Sequence, residues 1–522
     1  MAKTEPIPIS ASFPVGGVHK GSGLQGQPEN TTASALNVWP QDWGGGRARG
    51  GSRPGTASIT GWAGGIPLNW VPANWLVSSA NHSGILVLGR TKLMTIEPAT
   101  GASSPSEATT LTTTNLIEVA SDAFSSCAMY EQRAYRADST DANIDVYDLT
   151  ATDSPQKNDL TTLTTASAKG TAPTYCGLVC SYGDRLVLSG DANSPQAIYM
   201  SRIGDHADWD FTKTDGSAAW ANAGSVPGKI GERVTTLYEH NRNCLLVGCA
   251  DSLYVIRGNP GAGTASVELL SREVAPIMQS AICKTGSEHA VMMTRHGLYR
   301  MDPGCGSPPI NMSDEKLPDN LSDIDPKTDT VSLAYDAKFR GVHILIVRGS
   351  TADAYFYSLM YDSFWPMDYS TGGPFILAAS LNSWANDTRS PVLFLKSGAS
   401  YEMDESKNES FTSRCLFGPF AMGAPQTEGT LTELSSVLAT GSNDATWELY
   451  AGLSPQEAFD AAEAGSSPSF TGDNWSTGLN YMQHPRARGT VCYVLVETTT
   501  DKRWSLEELF GVAYSNARRR VR

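Results

Sequence analysis

Long apolar runs are missing from this chain of 522 residues; none approaches the roughly 20 that a bilayer-spanning helix needs. The opening MAKTEPIPIS holds no apolar core of a secretory leader, so the chain is expected to be made and kept soluble, with no stable membrane insertion. Charge is sparse, at 18% of residues, and its balance is negative, −15 at neutral pH. Such a surface repels phosphate as a whole and confines any nucleic-acid contact to local patches. Cysteine is rare, nine in all, with Cys176 and Cys180 four apart and Cys244 and Cys249 five apart. That spacing offers no CxxC pair with a histidine partner, which argues against a zinc site or a disulfide framework and for a reducing compartment. Runs of good helix formers are few beside 49 glycines and 29 prolines, which points to a loop-rich, mostly β protein.

The motifs of common chemistry are lacking too. GxSxG, GxxxxGK[ST] and HExxH do not occur, and the eight histidines stand singly. The glycines of GGGRARGG (44–51) neither follow a strong strand nor open a helix, so a phosphate loop is a weak reading. In DSTDANIDVYD (138–148) the carboxylates lack the turn glycine and closing glutamate of a calcium loop. GDHADWDF (204–211) gathers Asp205, His206, Asp208 and Asp210 and is the best catalytic-looking run, although a turn leading into a Trp-anchored strand is the favoured reading. No catalytic residue, metal ligand or cofactor is assigned, and the chain is expected not to be an enzyme.

What is present is a series of hairpins. Clusters of short strands begin near Ile85, Cys127, Tyr182, Thr236, Ile282, Ser332 and Val392, a spacing suited to propeller blades. The fold class is read as all-β: a divergent six- or seven-bladed β-propeller over 66–410, with an extended N-terminal arm over 1–65. A β-sandwich follows over 411–522, ending in a basic tail. An array of β-sandwiches built from similar hairpins is the alternative. Within the last domain SPQEAFDAAEAG (454–465) predicts a short helix, with Ser454 and Glu457 at capping-box spacing.

Against that frame ALNVWPQDWGGGRARGGSRPG (35–55) becomes informative. Asn37, Val38, Pro40, Asp42, Arg47, Arg49, Gly50, Gly51, Arg53, Pro54 and Gly55 resemble an N-terminal signature of tail nozzle and related β-propeller tail proteins of tailed bacteriophages. GCADSLYVIRGNPGAG, RHGLYRMDPGCGSPPINMSDEKLP, YDSFWPMD and the C-terminal HPRARGTVCYVLVE and WSLEELFGVAYSNARRR look like later parts of the same family. Trp39, Trp43 and Gly46 depart from the pattern. The resemblance implies a structural virion protein assembled in the host cytoplasm and located in the tail. It implies a homo-oligomeric ring, usually a hexamer, that contacts an adaptor and a tail fibre or tailspike. Such a ring retains double-stranded DNA and then lets it pass. A carbohydrate-active propeller or glycan-binding tail module is the alternative function.

On this reading Arg47, Arg49 and Arg53, with Arg518, Arg519 and Arg520 of the tail, are the candidate assembly residues, pairing with acidic surfaces of neighbouring subunits. Removing residues 1–55 is then expected to leave a folded body that assembles poorly.

Overall fold

The structure is a computed structural model. It describes residues 6–42, 46–59, 65–77, 80–98, 111–118, 126–150, 156–163, 169–222, 230–317, 319–322, 324–369, 375–380, 392–404, 411–423, 427–498 and 503–519.

Seven four-stranded antiparallel sheets follow one another along the chain, each a propeller blade. Their innermost strands are Pro67–Val77, Ser126–Tyr130, Leu178–Tyr182, Val234–Asn241, Ile282–Lys284, Asp329–Asp336 and Leu377–Ser380, opening blades 1 to 7. Second strands such as Arg185–Ser189, Cys244–Cys249, Ala290–Thr294 and Val392–Lys396 are buried end to end. Blades stack on both of their faces, so no side is left for solvent, and their sequences are continuously apolar rather than alternating. The hairpins are tight where the turn chemistry allows: Gly183 and Asp184 both take positive φ between the paired Tyr182 and Arg185. The Thr-rich passage at 109–116 falls largely in Leu111–Glu118, the outer strand of blade 1.

Blade 7 is completed from the other end of the chain. Its outermost strand is Gly55–Ile59, paired with Ala399–Asp404 in the register Thr56 to Met403 and Ile59 to Ser400. A ring closed by distant segments resists peeling, because opening it breaks a whole strand pair at once.

The C-terminal domain is a sandwich of two five-stranded sheets. One contains Leu506–Arg519, Thr427–Leu438, Gly478–Gln483 and Ala487–Gly489; the other contains Ser413–Ala421, Val491–Thr498, Thr446–Gly452 and Phe470–Thr471. Each takes its remaining strand from the N-terminus: Pro6–Ala11 pairs with Leu506–Arg519, and Ala35–Leu36 pairs with Ser413–Ala421. Between the sheets Trp447 stacks on Trp475 at 5.1 Å. The predicted helix is present as Pro455–Glu463, capped by Ser454 Oγ, which accepts from the Glu457 amide at 3.2 Å. The Glu457 carboxylate accepts from the amide of Leu453, one residue before the position a capping box uses.

The N-terminal stretch is therefore extended in conformation but does not leave the molecule. It supplies a strand to each sandwich sheet and one to the propeller, and it buries Phe13, Val18, Val38 and Trp39. The reason is physical: open sheet edges present unpaired amides and carbonyls, and this segment satisfies them while covering apolar side chains. The boundaries change accordingly, since 6–11 and 35–36 belong to the sandwich and 55–59 to the propeller. Among the described residues no helix is long and apolar enough to cross a membrane.

Candidate functional site

The arginine-glycine stretch sits where propeller and sandwich meet. Its glycines are demanded by close approach rather than by a ligand: a Cβ on Gly51 would lie 1.9 Å from the Trp504 carbonyl oxygen. A Cβ on Gly50 would lie 2.1 Å from the Phe13 ring. Asn37 takes a left-handed φ of 54°. From that position its Nδ2 donates to the Thr412 carbonyl at 2.7 Å, and its Oδ1 accepts from the Asp368 amide at 2.7 Å. One side chain thus ties the last strand of blade 6 to the first residues of the sandwich.

Arg53 completes this knot. Its side chain is 2% exposed, donates to Asn37 Oδ1 at 3.1 Å, to the Pro54 carbonyl at 2.7 Å and to the Asp368 carbonyl at 3.0 Å. The guanidinium also lies 3.9 Å from the Phe411 ring centroid and 4.8 Å from that of Tyr369. A planar fork lying over two aromatic rings suits arginine and not lysine. Arg49 donates to the buried Asp42 carboxylate at 3.1 Å and pairs with Glu507, while Arg503 holds the other Asp42 oxygen.

The expected reach of Arg49 and Arg53 to a neighbouring subunit is thus corrected: both are engaged within their own chain. A buried aspartate and two buried carbonyls draw these cations inward more strongly than a solvated surface could. Arg47 is the arginine of the three that is exposed, its carbonyl accepting from the Asp42 amide at 2.9 Å. Arg518 and Arg519 end the last strand, but their side chains, and all of Arg520, lie outside the described residues.

The second candidate is the propeller axis. A cavity of about 600 Å³ is lined by all seven blades, among them Trp70, Met129, Cys180, Glu239, Tyr335 and Ser380. Gln279 reaches into the wall, its Oε1 accepting from Ser126 Oγ at 2.6 Å and its Nε2 donating to the Val179 carbonyl at 3.0 Å. Glu239 is open to the cavity, yet the walls around it push its carboxyl up, against an opposing hydrogen bond from Ser181 and the charge of Lys284. The cavity thiols Cys127 and Cys283 are pushed up to about 12 by burial, so they behave as small apolar side chains. Neither Glu239 nor Lys284 was singled out in the sequence. Only the convergence of seven inner strands brings them to one axis.

The carboxylates of the catalytic-looking run are taken up by local partners, Lys213 serving both Asp208 and Asp210. Asp205 meets Lys169 at 2.9 Å, Asp208 meets Lys213 at 2.7 Å, and Asp210 Oδ1 accepts from the Thr212 amide at 3.0 Å. Desolvation opposes ionisation of Asp205, but hydrogen bonds from Lys169 and the Ala207 amide outweigh it and hold the carboxyl below its usual range. Asp210 is lowered as well, chiefly by Thr212. A general acid needs the opposite shift. His206 is half-buried against Tyr130 and Tyr135, and that desolvation lowers it to about 4.

In the acidic stretch, Arg136 bridges Asp138 at 3.2 Å and Asp145 at 3.0 Å, and Asp141 Oδ1 accepts from the Asn143 amide at 3.0 Å. Among the described residues no group of three or more His, Cys, Asp and Glu side chains is placed to hold a metal ion. His296 is an exposed residue of the hairpin turn between Thr294 and Gly297.

No family model and no curated protein matches the chain. Solved structures to which it is similar include the extracellular domain of BT4673 from B. thetaiotaomicron, at 12% identity and a TM-score of 0.42, covering 76% of this chain and 43% of that one. The chain thus spans less than half the length of that structure. A second is YCF48 bound to D1 peptide, at 10% identity and a TM-score of 0.38, covering 68% of this chain and 97% of that one. A third is the Cps50 (Swd1) β-propeller domain of Myceliophteria thermophila, at 10% identity and a TM-score of 0.40, covering 67% of this chain and all of that domain. The chain is a seven-bladed β-propeller joined to a β-sandwich.

Proposed function

We propose that this protein is a structural subunit of a bacteriophage tail, a ring-forming nozzle component that retains packaged DNA and forms the conduit for its ejection. The observation that carries the reading is the junction. The residues that resemble the nozzle signature, Asn37, Asp42, Arg49, Gly50, Gly51 and Arg53, are those that bolt the propeller to the sandwich. A shared signature of that kind reports shared architecture, as a structural protein requires, rather than a shared reaction.

Two further features support it. On this reading the DNA path runs between copies of the chain, since an axial cavity of about 600 Å³ with Gln279 reaching across its wall is too small to hold a duplex. The net charge of −15 per chain lets such a path be lined without condensing on phosphate.

The test is the mass and symmetry of the purified protein. A closed ring, sixfold by negative stain and light scattering, is the expected result. A monomer at all accessible concentrations that releases new reducing ends from host polysaccharide would overturn the proposal in favour of a carbohydrate-active propeller.

A further inference from the structure

Cys244 opens the second strand of blade 4, Cys244–Cys249, and Cys305 lies in the loop of blade 5 between Gly297–Met301 and Ile310–Asn311. Both are free thiols, 4% and 0% exposed, in one apolar cluster with Leu246, Met292 and Met301. The two thiols lie close enough for Cys244 to add to the upward shift of Cys305. Arg257, at the end of the third strand of blade 4, holds the pair together. Its Nη1 donates to Cys244 Sγ at 3.3 Å and to the Gly304 carbonyl at 2.8 Å, and its Nη2 donates to the Cys305 carbonyl. Asn241 latches the same loop, donating to the Pro303 carbonyl at 2.9 Å.

We propose that Cys244 and Cys305 are a modification site: they form a disulfide when the protein meets an oxidising disulfide donor, and the bond ties blade 4 to blade 5. The inference rests on this pair alone and not on a tail role.

In the closed loop the pair is quiescent, since burial pushes the Cys305 thiol up to about 12. The loop itself is shallow. Cys305 sits between exposed Gly304 and Gly306, in a turn closed by its amide donating to the Asp302 carbonyl at 2.9 Å. Local opening of that turn uncovers both sulfurs without unfolding a blade.

With oxidised glutathione as donor, the Cys244 thiolate attacks one glutathione sulfur and expels the other as a thiolate. The Cys305 sulfur then attacks Cys244 in the mixed disulfide and expels the second glutathione. Two protein thiols are oxidised to one cystine, one oxidised glutathione is reduced to two thiols, and the two protein protons pass to them. A reducing cytoplasm keeps the pair open, and an oxidising exterior closes it.

The experiment treats the full-length protein with excess oxidised glutathione, alkylates the remaining thiols and maps non-reduced peptides. One linked pair is expected, carrying Cys244 and Cys305, with the other seven cysteines alkylated. Tm is expected to rise by roughly 5 °C and to return on adding dithiothreitol. The Cys305→Ser variant treated alike should give neither the link nor the rise. Because a serine there can itself loosen the loop, the wild-type map is decisive alone, and Cys305→Ala serves as a second variant. Nine alkylated cysteines after oxidation, glutathione retained on Cys244 beside a free Cys305, or a link between other cysteines overturns the site. A correct link with an unchanged or lower Tm overturns the tying of the blades.

Discussion

Phe13 stacks on Trp365, ring centroids 5.4 Å apart and planes 25° from parallel, and the same ring meets Phe417 and Trp504 edgewise or tilted. A residue from the start of the chain is thereby the plug between blade 6, the sandwich strand Ser413–Ala421 and the Trp504 segment that leads into Leu506–Arg519. Truncating it to Phe13→Ala empties that site and removes aromatic contacts on three sides. A loss of about 4 kcal/mol in chemical denaturation is expected. A change under about 1 kcal/mol would mean that the junction collapses around the gap.

Deleting residues 1–59 is expected to yield no stable protein, the reverse of what an arm would give. The deletion strips a strand from each sandwich sheet and the closing strand from blade 7. Limited proteolysis and circular dichroism of the truncated chain decide the matter. A protease-resistant truncated body with native strand content would show that the body folds without those strands.

How much of this was legible in the sequence depends on whether a signal is local. Hairpins such as Tyr182–Arg185, with Gly183 and Asp184 between them, announce themselves through turn chemistry, and they point to the propeller and to the starts of blades 2 to 6, whereas the starts read near Ile85 and Val392 fall on the second strands of blades 1 and 7. The helix after Ser454 was visible for the same reason. The N-terminal stretch was misjudged because its partners are hundreds of residues away. Arg49 with Glu507, Asp42 with Arg503 and Gly51 with Trp504 are pairings that no window of sequence contains. Glycine and arginine crowded together read as an extended arm until the surfaces they fit are known. The alternating PIPISA was a missed signal. Pro6 and Pro8 fit an outermost strand, because a proline facing away from the sheet removes no ladder bond.

Arg53 separates a structural arginine from an assembly arginine. Arg53→Ala leaves the Asn37 amide and the Asp368 carbonyl with lost partners in a buried site, and a loss of about 3 kcal/mol or more is expected. Arg53→Lys should recover little of it, because an ammonium cannot serve three acceptors while lying over two rings. Arg47→Ala, at an exposed position, should change stability by less than about 0.5 kcal/mol. If Arg47 contacts a neighbouring subunit, that variant should nevertheless weaken the ring in sedimentation. Equal stability of Arg53→Ala and Arg47→Ala would overturn this division.

Acid sensitivity follows from His206. Burial lowers it to about 4, from an ordinary value of 6.5, with Arg133 adding to the shift and Asp205 opposing it. Below 6.5 the unfolded chain binds a proton that the folded ring still refuses. Stability from this residue is therefore full above 6.5 and declines as pH falls towards about 4. His206→Gln should flatten the dependence of the urea midpoint between pH 6.5 and pH 4. An unchanged slope in the variant would show that another group is responsible.

If copies of this chain ring a DNA path, six of them bring six times the −15 of one chain, and that charge must face either solvent or the path. Two of the arginines that could have made the path sticky are withdrawn: Arg49 lies on Asp42 and Glu507, and Arg53 is buried beneath Phe411. A lumen left neutral to acidic gives phosphate nothing to displace counterions against, so a duplex slides rather than binds. The assembled ring is then expected to retain no linear duplex in a filter assay at about 50 mM salt, where proteins with several phosphate contacts bind strongly. Adding an inward basic ring, by arginine substitution at a lumen position located by imaging, should create binding that weakens steeply with salt. Tight, salt-sensitive retention of duplex by the unmodified ring would place an existing basic ring in the path and overturn the acidic-conduit argument.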